Sequence, residues 1–185
     1  MSRFITFSRT FPAYHPRAGQ PTYFVEKIYN SIYKQKTGDW SDALGDTSSY
    51  VVELDHLQKE TKHQTIRAGH RFKPGDMFSP RVWGNDINPK TGRSGPYHSK
   101  HIIIAPDIEV KKTCDFDIKV DGDYKCIMID NWPFYEENGR FITQVQALET
   151  LCKNDGLSVE DFKAWFKWGK PFTGQIICWN DTITY

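Results

Sequence analysis

Apolar residues fall in short runs separated by turn formers along most of the chain. Phe4-Ile5-Thr6-Phe7 is aromatic and β-branched and predicts a first strand, ended by Pro12 and Pro16. From Thr22 to Lys34 the period changes. Phe24, Ile28 and Ile32 recur every four residues, with Val25 and Tyr29 beside them. That is the spacing of an amphipathic helix, entered through Pro21 and Thr22. Residues 36–48 are polar and rich in turn formers and read as a loop or inserted excursion.

Strand patterns return with Gln64-Thr65-Ile66-Arg67 and, after the Pro74-Gly75-Asp76 turn, with Met77 to Trp83. Residues 84–100 carry Gly84, Pro89, Gly92, Gly95 and Pro96 and predict a long loop before a strand at 101–105. Asp121-Gly122 lies between alternating arms at 114–120 and 123–129, which predicts a hairpin with a type I′ turn. Val145, Leu148, Leu151 and Cys152 mark a helical face within 143–152, with Gly156 as a left-handed cap. Ser158, followed by Glu160 and Asp161, starts another helix whose buried face is Phe162, Trp165 and Phe166. Gln175 to Trp179 reads as a closing strand. Regular strand–helix alternation is missing, so the pattern predicts an α+β fold on a small barrel with two or three helices.

At 185 residues the chain has the length of one domain, and a sizeable core is available without staples. The net charge of +1 supplies no global field toward DNA or a membrane, but the charge is uneven. Residues 56–73 carry +4, residues 90–101 carry +3 and residues 107–123 carry −3. An anion is therefore expected against 56–101. Cys114, Cys126, Cys152 and Cys178 form no CxxC knuckle and read as buried free thiols. The histidines show neither HxxxH nor HExxH, and no phosphate-loop or dinucleotide fingerprint is present, so no metal or cofactor is expected. Without a signal peptide or a long apolar stretch, the expected location is cytoplasmic, with no membrane partner.

The candidate chemistry centres on Lys62-His63-Gln64-Thr65-Ile66-Arg67. Strand alternation sends Ile66 to the core and Thr65 and Arg67 together to the other face, with Lys62 bending toward the same opening. A hydroxyl, a guanidinium and an ammonium converging on a barrel mouth make an anion or amide site. Arg9, Arg17 and Arg81 are further candidates to gather there as ligand-binding residues. Tyr97, Trp83 or Trp40 are available to stack a base, while Trp83 and Trp165 are also natural core residues.

Lys62-x-x-Thr65-Ile66-Arg67, followed by Lys73-Pro74-Gly75-Asp76 before a strand, resembles the core of ASCH domains, relatives of PUA domains. The later order is similar too: a helix, the acidic Asn154-Asp155-Gly156 segment, a short helix from Ser158 and a closing strand. The segments Phe7–Pro12 and His15–Gly19 resemble the start of longer phage and bacterial members. The resemblance implies one PUA-like barrel domain over 1–185, with insertions around 36–48 and 84–140. It implies binding of RNA, a nucleotide or a modified nucleoside in a cleft lined by Lys62, Thr65 and Arg67. As an alternative it implies a hydrolase at that cleft, either RNA-cleaving or an amidohydrolase acting on N4-acylcytidines. For the amidohydrolase, Lys62 and Thr65 match the lysine and threonine of the family's catalytic set. Asp155 stands where the family has a glutamate, one methylene longer. A third reading makes the chain a phage-type interaction module that grips a protein partner through loop 84–100.

Overall fold

The computed structural model describes residues 3–33, 60–137 and 145–185. The excursion at 36–48 and Trp40 lie outside the described residues. The fold is α+β and divides into two compact units. The first gathers described residues of Met1–Ala13, Arg17–Thr61 and Met77–Ile108; the second gathers those of Tyr14–Pro16, Lys62–Asp76 and Glu109–Tyr185.

In the first unit, β1 (Arg3–Phe7) runs parallel to β3 (Met77–Trp83), and β4 (His101–Ile103) is antiparallel to β3. The two-residue β5 (Ile108–Glu109), where the chain leaves this unit, also pairs with β3. Helix α1 (Phe24–Tyr33) buries Phe24, Val25, Ile28 and Tyr29, the stripe that the four-residue spacing marks out. Thr22 starts it. Its hydroxyl donates to the Ser8 carbonyl at 2.7 Å and accepts from the Phe24 N–H at 3.4 Å. Alternation along the strands puts Ile5, Phe7, Phe78 and Val82 in the core. The opposite face carries Phe4, Thr6, Ser79, Arg81, Trp83, His101 and Ile103, as the pairings Phe4↔Ser79, Thr6↔Arg81, Arg81↔Ile103 and Trp83↔His101 require.

The second unit holds β2 (Gln64–Ala68), β6 (Lys112–Asp121), β7 (Tyr124–Ile129), β8 (Trp132–Glu137) and β9 (Phe172–Cys178). They form one antiparallel sheet in the order β2-β9-β6-β7-β8. Each sheet by itself is open. Helices α2 (Val145–Asn154) and α3 (Val159–Trp165) lie in the chain between β8 and β9. The four cysteines are buried free thiols, and Phe116, Ile118, Ile127, Leu151, Phe162 and Ile176 fill the core around them. Phe162 is fully buried, while Trp165 and Phe166 stay half-buried.

The β6–β7 hairpin differs from expectation by one residue. Asp121 pairs with Tyr124, so the loop is Gly122-Asp123, and only Gly122 has a positive φ, +56°. A positive φ confined to the first loop residue is the type II′ pattern, not type I′. Burial sets this register. Phe116 opposite Ile129 and Ile118 opposite Ile127 share the core, and a one-residue slip would turn one arm outward.

Candidate nucleic-acid interface

Lys62, Thr65, Arg67 and Asp155 all belong to the second unit. Helix α2 ends in a paired cap: Gly156, at φ +75°, donates to the Lys153 carbonyl at 3.0 Å, and Leu157 donates to the Cys152 carbonyl at 2.9 Å. Asp155 is thereby fixed at the helix end. Lys62 is 1% exposed and donates to the Asp155 carboxylate at 2.9 Å and to the Asp155 backbone carbonyl. The His63 N–H donates to the Asn154 carbonyl at 2.8 Å. An ammonium and an amide thus satisfy carbonyls that α2 leaves open at its C-terminus, where positive charge is favoured.

Around Asp155 lies a buried polar cluster. Desolvation pushes the Arg67 guanidinium down from its ordinary value, and the Asp155 carboxylate pulls it back. Burial pushes the Cys178 thiol up to about 12, with Asp155 among the charges adding to this. Tyr185 donates its hydroxyl to the Gln64 side-chain carbonyl and accepts from Asn154 Nδ2 at 3.1 Å. Burial raises its pKa. Gln64 and Tyr185 are absent from the sequence-based candidates, because their pairing spans 121 residues and has no local signal.

Thr65 and Arg67 share a face of β2, as alternation predicts, and Ile66 takes the other with Ile176 and Cys114. Yet Thr65 is only 4% exposed and its cross-strand partner Ile177 is fully buried. Both faces of the sheet are covered at Thr65 and Ile66, while Arg67 is half-buried.

The remaining candidates lie in the first unit. Arg9 donates to the Asn85 side chain. Arg17 stands 4.6 Å from the Phe11 ring centroid and donates to Gln20 Oε1 at 3.0 Å. Arg81 lies on the outer sheet face, 5.0 Å from the Phe4 ring centroid, with its Nε donating to Ser79 Oγ at 3.2 Å. On that face the rings run on: Phe4 to His101 at 4.9 Å, His101 to Trp83 at 3.9 Å, Trp83 to Tyr97 at 5.4 Å. Phe4 is 50% exposed and Tyr97 87%. Trp83 is half-buried, its ring held in this row. Loop 84–100 is tied down from within. Gly84 donates to the Lys100 carbonyl at 2.8 Å, Asn88 Nδ2 to the His98 carbonyl at 2.9 Å and Ser99 Oγ to the Asp86 carbonyl at 2.6 Å. Lys90, Arg93 and Lys100 are exposed on it.

Burial, and then the Arg81 guanidinium, hold His101 below the ordinary histidine value of 6.5. The unfolded chain therefore takes up the proton at a higher pH than the fold does, and stability falls as pH drops through about 6.5 and below. The wild-type melting temperature is expected to fall more steeply between pH 7 and 5 than that of His101→Gln. Parallel curves would remove His101 as the source.

In comparisons with known proteins the chain matches no family model, no curated protein and no solved structure. Among the described residues no helix is long and apolar enough to cross a membrane.

Proposed function

We propose that this chain binds single-stranded RNA, or a nucleotide or modified nucleoside derived from it, on the outer face of the β1-β3-β4 sheet. The observation that carries this reading is the row Tyr97, Trp83, His101 and Phe4, with the Arg81 guanidinium over its end. Exposed rings stack bases whatever their sequence, and an adjacent guanidinium forks onto phosphate or carbonyl oxygens. A sheet that keeps Phe4 and Tyr97 exposed forgoes burial energy, which favours a binding surface over a solvated one. The reading also takes the architecture to be a PUA-like barrel of ASCH type with inserted loops. It is supported by the Lys62–Arg67 element on β2, the turn at 73–76 before β3, and the order α2, α3, β9.

The amidohydrolase reading keeps one specific observation, the Lys62–Asp155 contact at 2.9 Å. Against it, the ammonium already donates to two oxygens of Asp155 and is sealed from solvent, so Lys62 would have to leave this pair before acting as a base.

Fluorescence anisotropy with a labelled 12-residue single-stranded oligoribonucleotide tests the proposal. Tyr97→Ala, which removes an exposed ring, and Trp83→Ala are each expected to weaken binding by about 1–3 kcal/mol for a stacked base, roughly 5- to 150-fold. Arg81→Gln should weaken it across sequences and flatten the salt dependence. Wild-type affinity in all three variants, or no binding at low salt, would sink the reading. Turnover of N4-acetylcytidine that is lost in Lys62→Ala would move the function to the buried cluster.

A further inference from the structure

We infer that the second unit carries its own nucleotide-binding groove, formed by the turn after α3, which takes a phosphate of a single-stranded nucleic acid on Lys167 and Lys170 and a base on Trp168; this rests on the nucleic-acid reading above. The groove is shallow and open to solvent, with a volume of about 480 Å³, and is lined by Pro16, Lys163, Ala164 and residues 167–170.

The first argument is backbone placement. Helix α3 ends in the same paired cap as α2: Lys167 donates to the Ala164 carbonyl at 3.1 Å and Trp168 to the Lys163 carbonyl at 2.8 Å. In α2 the left-handed position is held by a glycine. In α3 it is held by Lys167, at φ +50°. Glycine is the default there, because a side chain in this conformation carries strain. Lys167 thus occupies a position whose backbone favours glycine. Lys170 then donates its N–H to the Lys167 carbonyl at 2.9 Å, closing a tight turn with both lysines exposed.

The second argument is the chemistry of the walls. The Trp168 indole N–H donates to Glu137 Oε2 at 2.7 Å, and Lys163 donates to the same oxygen at 2.7 Å. Glu137 thus fixes the indole and answers Lys163. Lys163 also stands 5.1 Å from the Trp168 ring centroid, so what Trp168 offers the groove is the remaining π surface of a half-buried ring. Lys167 stands 4.2 Å from the Tyr14 ring centroid, an arrangement that holds the ammonium and leaves its charge uncancelled. Lys170 has no acidic partner among the described residues. Two uncancelled ammoniums beside a fixed aromatic ring complement a nucleotide, with its separate anionic and π parts. An acidic peptide would use the charges and leave the ring idle.

Lys167→Gly separates this from a structural role, because glycine relieves the backbone strain. Relief of the left-handed strain offsets the lost Tyr14 contact and the added freedom of the unfolded chain, so the variant is expected to melt close to the wild-type temperature. It should nevertheless bind the 12-residue oligoribonucleotide more weakly, with the slope of log K against log salt shallower by about 0.7; Lys170→Gln should lower it by a similar step. In uridine monophosphate titrations the Trp168 indole N–H resonance of the wild type should shift, and that of Lys167→Gly/Lys170→Gln should not. Wild-type affinity and slope in both lysine variants, with binding still lost in Tyr97→Ala, would overturn the groove and leave the sheet face as the interface. A 12-residue oligoglutamate that shifts the Trp168 resonance where uridine monophosphate does not would also overturn it. Loss of oligonucleotide binding in the lysine variants alone, with the sheet-face variants unchanged, would keep the groove and sink the sheet face.

Discussion

Asp155→Ala is expected to destabilise the protein by about 3–5 kcal/mol, because it strands the Lys62 ammonium in the interior without its counter-charge. Lys62 is 1% exposed and Asp155 5%, and the pair meets at 2.9 Å at the end of α2. A buried charge that loses its partner keeps its desolvation cost and gains nothing in return. Removing both charges is a different experiment. In Lys62→Met/Asp155→Leu no ion remains to be solvated, and most of the loss should return. Denaturant titration of Lys62→Met, Asp155→Leu and the double variant measures the coupling, which should exceed about 1 kcal/mol for groups in contact. A loss below about 1 kcal/mol for Asp155→Ala would sink the idea that this pair holds the second unit together. The double variant also separates two functions for the same residues. If it folds and still binds oligonucleotide, the pair is an internal pin. If it folds but loses binding or turnover, the cleft suggested by the Lys-x-x-Thr-Ile-Arg resemblance is where the chemistry lies.

Local signals were readable wherever the cause was local. The four-residue spacing of Phe24, Ile28 and Ile32 marked α1, Gly156 marked the left-handed cap of α2, and Ser158 marked the start of α3, where its hydroxyl accepts from the Asp161 N–H at 3.1 Å. The hairpin is legible, but Asp-Gly fits a type I′ turn at 121–122 while the core pairing selects Gly122-Asp123, one residue later. Other features had no local cause. Strand β8 reads Trp-Pro-Phe-Tyr-Glu-Glu, without alternation and with a proline. It forms at the sheet edge, where its partner β7 has a register shift between Ile127 and Met128. Alternation correctly placed Thr65 and Arg67 on one face but said nothing of what covers that face. The pattern of one strand reports its own two sides, and whether a side meets water depends on pairings far away. The sequence around Arg81 and Tyr97 carries no signal for their setting. The row that joins Trp83, His101 and Phe4 arises only when β1 and β4 flank β3. Arg9 and Arg17, named on charge alone, are engaged by Asn85 and by Phe11 and Gln20. The left-handed cap of α3 carries Lys167, where the sequence shows no glycine to announce it.

Gly174→Ala is expected to cost about 3 kcal/mol or more and to detach β2, taking Thr65 and Arg67 with it. Gly174 sits in β9, between Ala68 of β2 and Phe116 of β6. A Cβ there would lie 2.1 Å from the Arg67 carbonyl oxygen, 2.8 Å from its carbon and 3.0 Å from the Phe172 ring. The first two are backbone atoms and have no rotamer through which to withdraw. The strand on the other side offers no room either, because Phe116 is fully buried. The added methyl must therefore push β2 outward and break ladder bonds, a larger change than the side-chain adjustment that usual overpacking needs. Gly75 provides the control. A Cβ there meets nothing within 4 Å, so Gly75→Ala carries only the strain of φ +88°, about 1 kcal/mol. Amide exchange should lose protection at 64–68 in Gly174→Ala and keep it in Gly75→Ala. Reducing the ring in Gly174→Ala/Phe172→Leu should not restore stability, because the obstruction is the Arg67 backbone. If that second change rescued the protein, the ring would be the true constraint and the close approach of β2 to β9 would not be what positions Arg67.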